Sequence, residues 1–175
     1  MSILEYLQLC ALGVLGLPAC PICQVACADP TVVINESSRL TASDAGDGEY
    51  ADGFGGSVAI REDSLVSAAK WDDDLGRSSG SVYVFYREAG DSWTEKQKLT
   101  ASDGEEIDLF GTQVAMNENT IFVSAGDSTY DTEPSKGVYL FERNSAGKWV
   151  ETGRLNQSTG VERDFGGQIQ VDQNT

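Results

Sequence analysis

The chain has no histidine and few basic residues: 12 Lys and Arg against 28 Asp and Glu, a formal charge of −16 over 175 residues. Without histidine there is no His-activated nucleophile and no His-ligated zinc. A Gly-x-Ser-x-Gly nucleophile turn is also missing. The shortage of Lys and Arg argues against nucleic acid and anionic membrane surfaces as partners, because both are held by clustered positive charge. Carboxylate pairs work as acid and base without histidine, so a carboxylate-dependent glycan hydrolase is the enzyme class left open.

Cysteine is absent beyond residue 27; the four present are Cys10, Cys20, Cys23 and Cys27. No disulfide framework holds the rest of the chain together. Cys20-Pro21-Ile22-Cys23 has redox or zinc spacing, but no second pair or histidine supplies the other ligands. A targeting segment accounts for these cysteines better. Leu7 to Leu17 is a mostly apolar run of signal-peptide length, too short to span a bilayer, and Ala26-Cys27-Ala28 has the small-x-small form of a cleavage site. Cleavage there starts the mature chain at Asp29 and removes every cysteine. Glu5 and the lack of Lys or Arg in the leader depart from the usual pattern. A lipid anchor on Cys20 or Cys27 is the alternative. The reading is therefore a leader over 1–28, a linker or stray strand over 29–39 and a repeat region over 40–175, secreted or held at the cell surface. Asn35-Glu36-Ser37 and Asn156-Gln157-Ser158 are N-glycosylation sequons that suit such a location.

What fills the repeat region is periodic. Phe54-Gly55, Phe110-Gly111 and Phe165-Gly166 stand 56 and 55 residues apart. Val82-Tyr83-Val84-Phe85 recurs as Val138-Tyr139-Leu140-Phe141, Trp93 as Trp149 and Leu99 as Leu155, each 56 residues on. Leu40-Thr41-Ala42-Ser43-Asp44 matches Leu99-Thr100-Ala101-Ser102-Asp103. Such a period marks a unit that buries its apolar face against its neighbours. Inside it the apolar period is two. Residues 57–60, 65–68, 81–87 and 93–100 read as four strands, and 113–116, 121–124, 138–143 and 148–156 repeat them. Matching Ser67-Ala68-Ala69 to Ser124-Ala125-Gly126 makes the first hairpin one residue longer in the second copy. The fold class that follows is all-β: β-propeller blades of four antiparallel strands, two complete and others partial. The Phe rings and Trp93 and Trp149 are expected in the core, with glycine beside each Phe letting the backbone turn or approach closely.

These residues resemble the FG-GAP repeat, the blade unit of integrin alpha-chain propellers and of many surface proteins. Phe54-Gly55-Gly56-Ser57-Val58-Ala59-Ile60 matches the family's opening, and Ser81 to Phe85 its third strand. The resemblance covers about Leu40 to Thr175. It implies a propeller that meets its ligands through loops at one face. It also implies Ca²⁺ in the first hairpin of each blade, held by an Asp-rich loop. Here that hairpin is only Arg61-Glu62-Asp63-Ser64 or Asn117-Glu118-Asn119-Thr120, too short to wrap about six oxygens round an ion. The remaining metal candidates are Asp72, Asp73 and Asp74 after the second strand, with Asp127 and Asp131 in the matching loop. Asp44, Asp47, Asp52, Asp103 and Asp108 make a similar acidic set between blades. Three successive Asp side chains do not converge unaided, and a solvated loop is the competing account.

Propellers close with about four to eight blades, and this chain carries two full copies and the start of a third. Three arrangements are open: a fragment of a longer propeller, several copies forming one ring, or residues 35–40 and the last strand completing each other's blades. The expected function is a non-catalytic, secreted or surface-displayed binding module for an extracellular protein or glycan, with a role in adhesion. Its contacts are expected in the interblade loops and in Asp72 to Ser79. A structural propeller piece with no ligand of its own is the alternative.

Overall fold

The two complete copies become two sheets. The computed structural model describes residues 39–44, 52–126, 135–156 and 165–172. The leader with its four cysteines, Asn35, Asp47, Asp127 and Asp131 lie outside the described residues. Blade 1 is a four-stranded antiparallel meander of β1 (Val58–Arg61), β2 (Ser64–Ala69), β3 (Ser81–Arg87) and β4 (Trp93–Leu99). Blade 2 repeats it with β5 (Val114–Met116), β6 (Thr120–Ala125), β7 (Gly137–Arg143) and β8 (Trp149–Leu155). Both belong to one compact unit, Ser38–Thr175. No helix occurs among the described residues. The all-β reading and the paired four-strand blades are what the sequence predicts.

The β-branched and aromatic run of β3 supplies the centre of blade 1, pairing Val66 with Val84 and Leu65 with Phe85. Alternation gives each blade two faces. The front of blade 1 carries Val58, Ile60, Leu65, Tyr83 and Phe85; the back carries Ala59, Arg61, Val66, Ala68, Val82, Val84 and Leu99. The front of blade 2 lies on the back of blade 1. Val66, Val82, Val84 and Leu99 form one buried cluster with Phe110, Val114, Ile121, Val123, Tyr139, Phe141 and Trp149.

Phe110 is the wedge of that interface. It is fully buried, edge-on to Tyr139 and Phe141 with ring centroids 5.4 and 5.9 Å away. Phe54 makes the same pair of contacts to Tyr83 and Phe85 at 5.6 and 6.0 Å, but is only half-buried. Trp149 is buried and Trp93 half-buried for the same reason: blade 1 covers the front of blade 2, whereas the described cover on the front of blade 1 is Leu40, Ala42 and Phe54, packed over Tyr83 and Phe85. Glycine is required where the wedge passes. A Cβ on Gly80 (φ 85°) would sit 2.1 Å from the Phe110 carbonyl oxygen.

The structure corrects two expectations. Arg61 pairs with Ser64, and the turn of blade 2 closes likewise between Asn117 and Thr120. The first hairpins are therefore equal in length. Register places Val123-Ser124-Ala125, not Ser124-Ala125-Gly126, opposite Ser67-Ala68-Ala69, and the 56-residue offset holds through every strand. The start of the third copy, residues 165–171, forms no strand. Their Phe-Gly is nevertheless seated. The Ser135 hydroxyl donates to the Phe165 carbonyl at 2.7 Å. A Cβ on Gly166 would meet Ser124 and Val138 at 2.9 and 3.0 Å, as one on Gly111 would meet Ala68 and Val82.

Candidate functional site

The acidic residues singled out in the sequence cluster around a lysine. Lys98, on β4, lies 2.7 Å from Asp44 Oδ2 and 2.9 Å from Asp72 Oδ2, and also pairs with Asp74. The ligating oxygens of these three acids lie within 4.8 Å of one another. Their common cation is the ammonium group, which also stands over the Tyr83 ring at 5.2 Å. Tyr83 Oη is 2.7 Å from both Asp44 Oδ1 and Asp72 Oδ2, and its one proton serves one of them at a time. Asp72 is buried and saturated: it also accepts from the Ser81 hydroxyl at 2.9 Å and the Asp74 amide at 3.2 Å. Asp73 turns away and accepts from the Ser78 amide instead. The run of three thus splits, and Asp44 from the linker supplies the third carboxylate.

Titration behaviour follows from this geometry. Burial pulls the Asp44 carboxyl up, but hydrogen bonds from Lys98 and Tyr83 outweigh it and leave the group lowered. Burial and the two carboxylates raise the Tyr83 phenol. The Lys98 ammonium loses some of its proton affinity to burial and regains more from Asp44, Asp74 and Asp72, so it is raised.

Blade 2 repeats the site with one carboxylate and an arginine. The Tyr139 hydroxyl donates to Asp103 at 2.7 Å, and Arg154 donates to Asp103 at 2.6 Å and to the Tyr139 oxygen at 3.0 Å. The hydrogen bond from Tyr139, then Arg154, hold Asp103 low, while burial and Asp103 push the Tyr139 phenol up to about 12. Asp108 is engaged separately: buried, it pairs with Lys136 at 2.8 Å, and Lys136 also reaches Glu105. The Asp52 carbonyl accepts from the Trp71 amide. Asn156 is exposed just past β8.

A second clamp lies beside each cation. The Glu95 carboxylate accepts from both the amide and the hydroxyl of Ser43, at 2.9 and 2.8 Å. Glu151 holds Ser102 in the same way at 2.9 Å twice. Residues three apart on a regular strand face opposite ways. A bulge makes the difference: pairing jumps from Val84↔Gln97 to Phe85↔Glu95, leaving Lys96 extra, and Thr152 is extra in blade 2. Glu95 and Lys98 therefore share the front face and grip consecutive linker residues, Ser43 and Asp44. Sequence reasoning missed Glu95, Lys98, Glu151 and Arg154 because it took β4 and β8 as strictly alternating. The available signal was the common 56-residue spacing of Glu95/Glu151 and Lys98/Arg154.

The family's calcium loop does not fit these hairpins. Glu62 and Asp63 form a tight turn, with Asp63 facing Arg87 at 3.7 Å. The Asn117 side chain is spent on the amides of Asn119 and Thr120 in its own turn. Neither turn gathers oxygens round a point.

The opposite end of the blades carries the longer loops, 70–80 and 100–113. They are joined by amides of Ile107, Leu109 and Phe110 donating to carbonyls of Arg77, Ser78 and Ser79 at 2.8–3.0 Å. Trp71, Leu75 and Ile107 are exposed on them.

The clamps tie each Leu-Thr-Ala-Ser-Asp linker to the blade that follows it, and comparison with known families finds that same unit. The family model described as FG-GAP repeat matches residues 34–85 and again 93–141, the second match beginning at the start of β4, and each passes through a linker into the third strand of the blade that follows it. No curated protein and no solved structure matches the chain. With more than half of its length matched in two successive copies, the chain belongs to the FG-GAP repeat family.

Proposed function

We propose that this chain is a non-catalytic binding module, displayed outside the cell, that meets an extracellular protein or glycan through loops 70–80 and 100–113. One observation carries the reading: Trp71, Leu75 and Ile107 stand 42–46 % exposed on loops whose backbones are fastened to each other. Ile107 is held at φ 68° and Leu109 at φ 52°, conformations a β-branched or bulky residue rarely adopts. Backbone strain of about 1–3 kcal/mol concentrates at ligand-contacting loops. Family membership supports the same reading by analogy of fold, and the apolar leader with Ala26-Cys27-Ala28 supports display outside the cell.

The test is a matrix-protein and glycan array probed with the purified chain and with Trp71→Ala and Ile107→Gly. Binding that either substitution weakens at least tenfold is expected. A blank array, or binding indifferent to both, would overturn the proposal. Sequencing of protein recovered from the medium is expected to begin at Asp29. A second reading, a structural piece without a ligand, draws on Val58 and Ile60, exposed on the front of blade 1.

A further inference from the structure

The internal blade interface defines what an uncovered blade lacks. Val58 and Ile60, on the front of blade 1, are each 61 % exposed; Val114, which repeats Val58, is 6 % exposed and Met116, which repeats Ile60, is half-buried. Only the covering sheet differs. We propose that the front of blade 1 docks on the back of blade 2 of a second copy of this chain, head to tail, continuing the internal interface between chains.

Continuity of pattern carries the argument, because the contacts that join blade 2 to blade 1 have counterparts 56 residues away. Arg143 donates to the Ser64 hydroxyl at 3.1 Å; between copies, Arg87 meets Thr120, another hydroxyl. Arg61 pairs with Glu118 at 3.0 Å; between copies, the Asn117 amide meets Glu62. The Trp149 indole donates to the Tyr86 hydroxyl at 2.9 Å, and Arg143 stacks on that Tyr86 ring. The residue repeating Tyr86 is Glu142, whose carboxylate suits both the Trp93 indole and the Arg87 guanidinium of the arriving copy. Phe122 and Leu140, on the back of blade 2, stand where Val66 and Val84 receive the internal front. One contact is not carried over: Gln97, which hydrogen-bonds both backbone groups of Trp149, is repeated by Gly153. Phe165-Gly166 holds the wedge seat on blade 2, and an arriving Phe54-Gly55 replaces it like for like.

A heterologous interface closes into a ring or runs on as a filament. Copies bringing two blades each close a propeller of about four, six or eight blades as two, three or four chains.

The test is absolute mass by light scattering over a concentration series, on the full chain and two variants at exposed positions on opposite faces, Ile60→Asp and Glu142→Lys. The wild type is expected at two to four times the mass of one chain. Each variant alone is expected to fall to one chain, with the wild-type circular dichroism spectrum. Mixed in equal amounts, they are expected to form a two-chain species and nothing larger, since one intact front then meets one intact back. A wild type at single-chain mass throughout would overturn the proposal. So would assembly lost in Ile60→Asp but kept in Glu142→Lys, or a mixture that stays single.

Discussion

Lys98 and Asp72 are 2.9 Å apart, and the carboxylate is almost wholly buried while the ammonium is partly open to solvent. The pair joins β4 to the loop after β2, and through Asp44 it also joins the linker. An internal cation thus stands where three carboxylates of the chain converge.

Removing that cation strands the charge of Asp72. Lys98→Met is expected to cost about 3 kcal/mol, the usual consequence of leaving one member of a buried pair uncompensated. Asp74→Asn, at an exposed partner, is expected to cost less than about 1 kcal/mol. Urea unfolding of both variants checks the contrast, and equal effects would contradict the assigned hierarchy.

A chain that neutralises its acids with Lys98, Lys136 and Arg154 has little use for a divalent ion in its fold. Neither EDTA nor millimolar calcium is expected to move the unfolding midpoint. A rise of several degrees with calcium would show that the carboxylates hold the ion despite the ammonium.

The pH profile of stability follows from the direction of each shift. Asp44 and Asp103 are lowered, so their contribution is present above the ordinary carboxylate range and is lost as pH falls through their folded values. Lys98 is raised and Tyr139 is raised to about 12, so theirs is complete below the unfolded values and is lost as pH climbs. A plateau from about pH 4 to about pH 10 is expected, with loss on both sides. Thermal melts across pH check it; a maximum confined to neutral pH would contradict it.

The bulge and the clamp are separable. Deleting Lys96 removes the bulge but leaves Glu95 and Lys98 two residues apart, so alternation keeps both on the front face and both linker contacts survive. Glu95→Ala removes the grip on Ser43 and is expected to cost about 2 kcal/mol, judged by two charge-assisted hydrogen bonds. Lys96→Ala, which loses only an exposed pair with Glu88, is expected to be nearly neutral. Urea unfolding checks the order; a deletion as costly as Glu95→Ala would mean that the extra residue, not the clamp, matters.

The repeat was legible because apolar strand residues and Phe-Gly recur in register, and packing between blades demands them. The site was legible only as acidic composition. Asp44, Asp72 and Asp74 were visible, but their cation was not, since an extra backbone residue leaves no mark in a polar strand such as Thr94 to Lys98. Chemical likeness misled at Ser124-Ala125, which resembles Ser67-Ala68 but sits one place further along the paired strand.

Blade 2 repeats blade 1 and differs by having its front covered. Residue-resolved hydrogen exchange on the Glu142→Lys variant, which leaves blade 1 untouched, tests it most directly. The Val114 and Trp149 amides, which donate across the interface to Ser57 Oγ and Gln97 Oε1, are expected to exchange with the slow β2 and β3 amides. Those of Val58 and Trp93 are expected to exchange at least tenfold faster. Equal rates at Val58 and Val114 would mean that the two sheets do not cover one another as described.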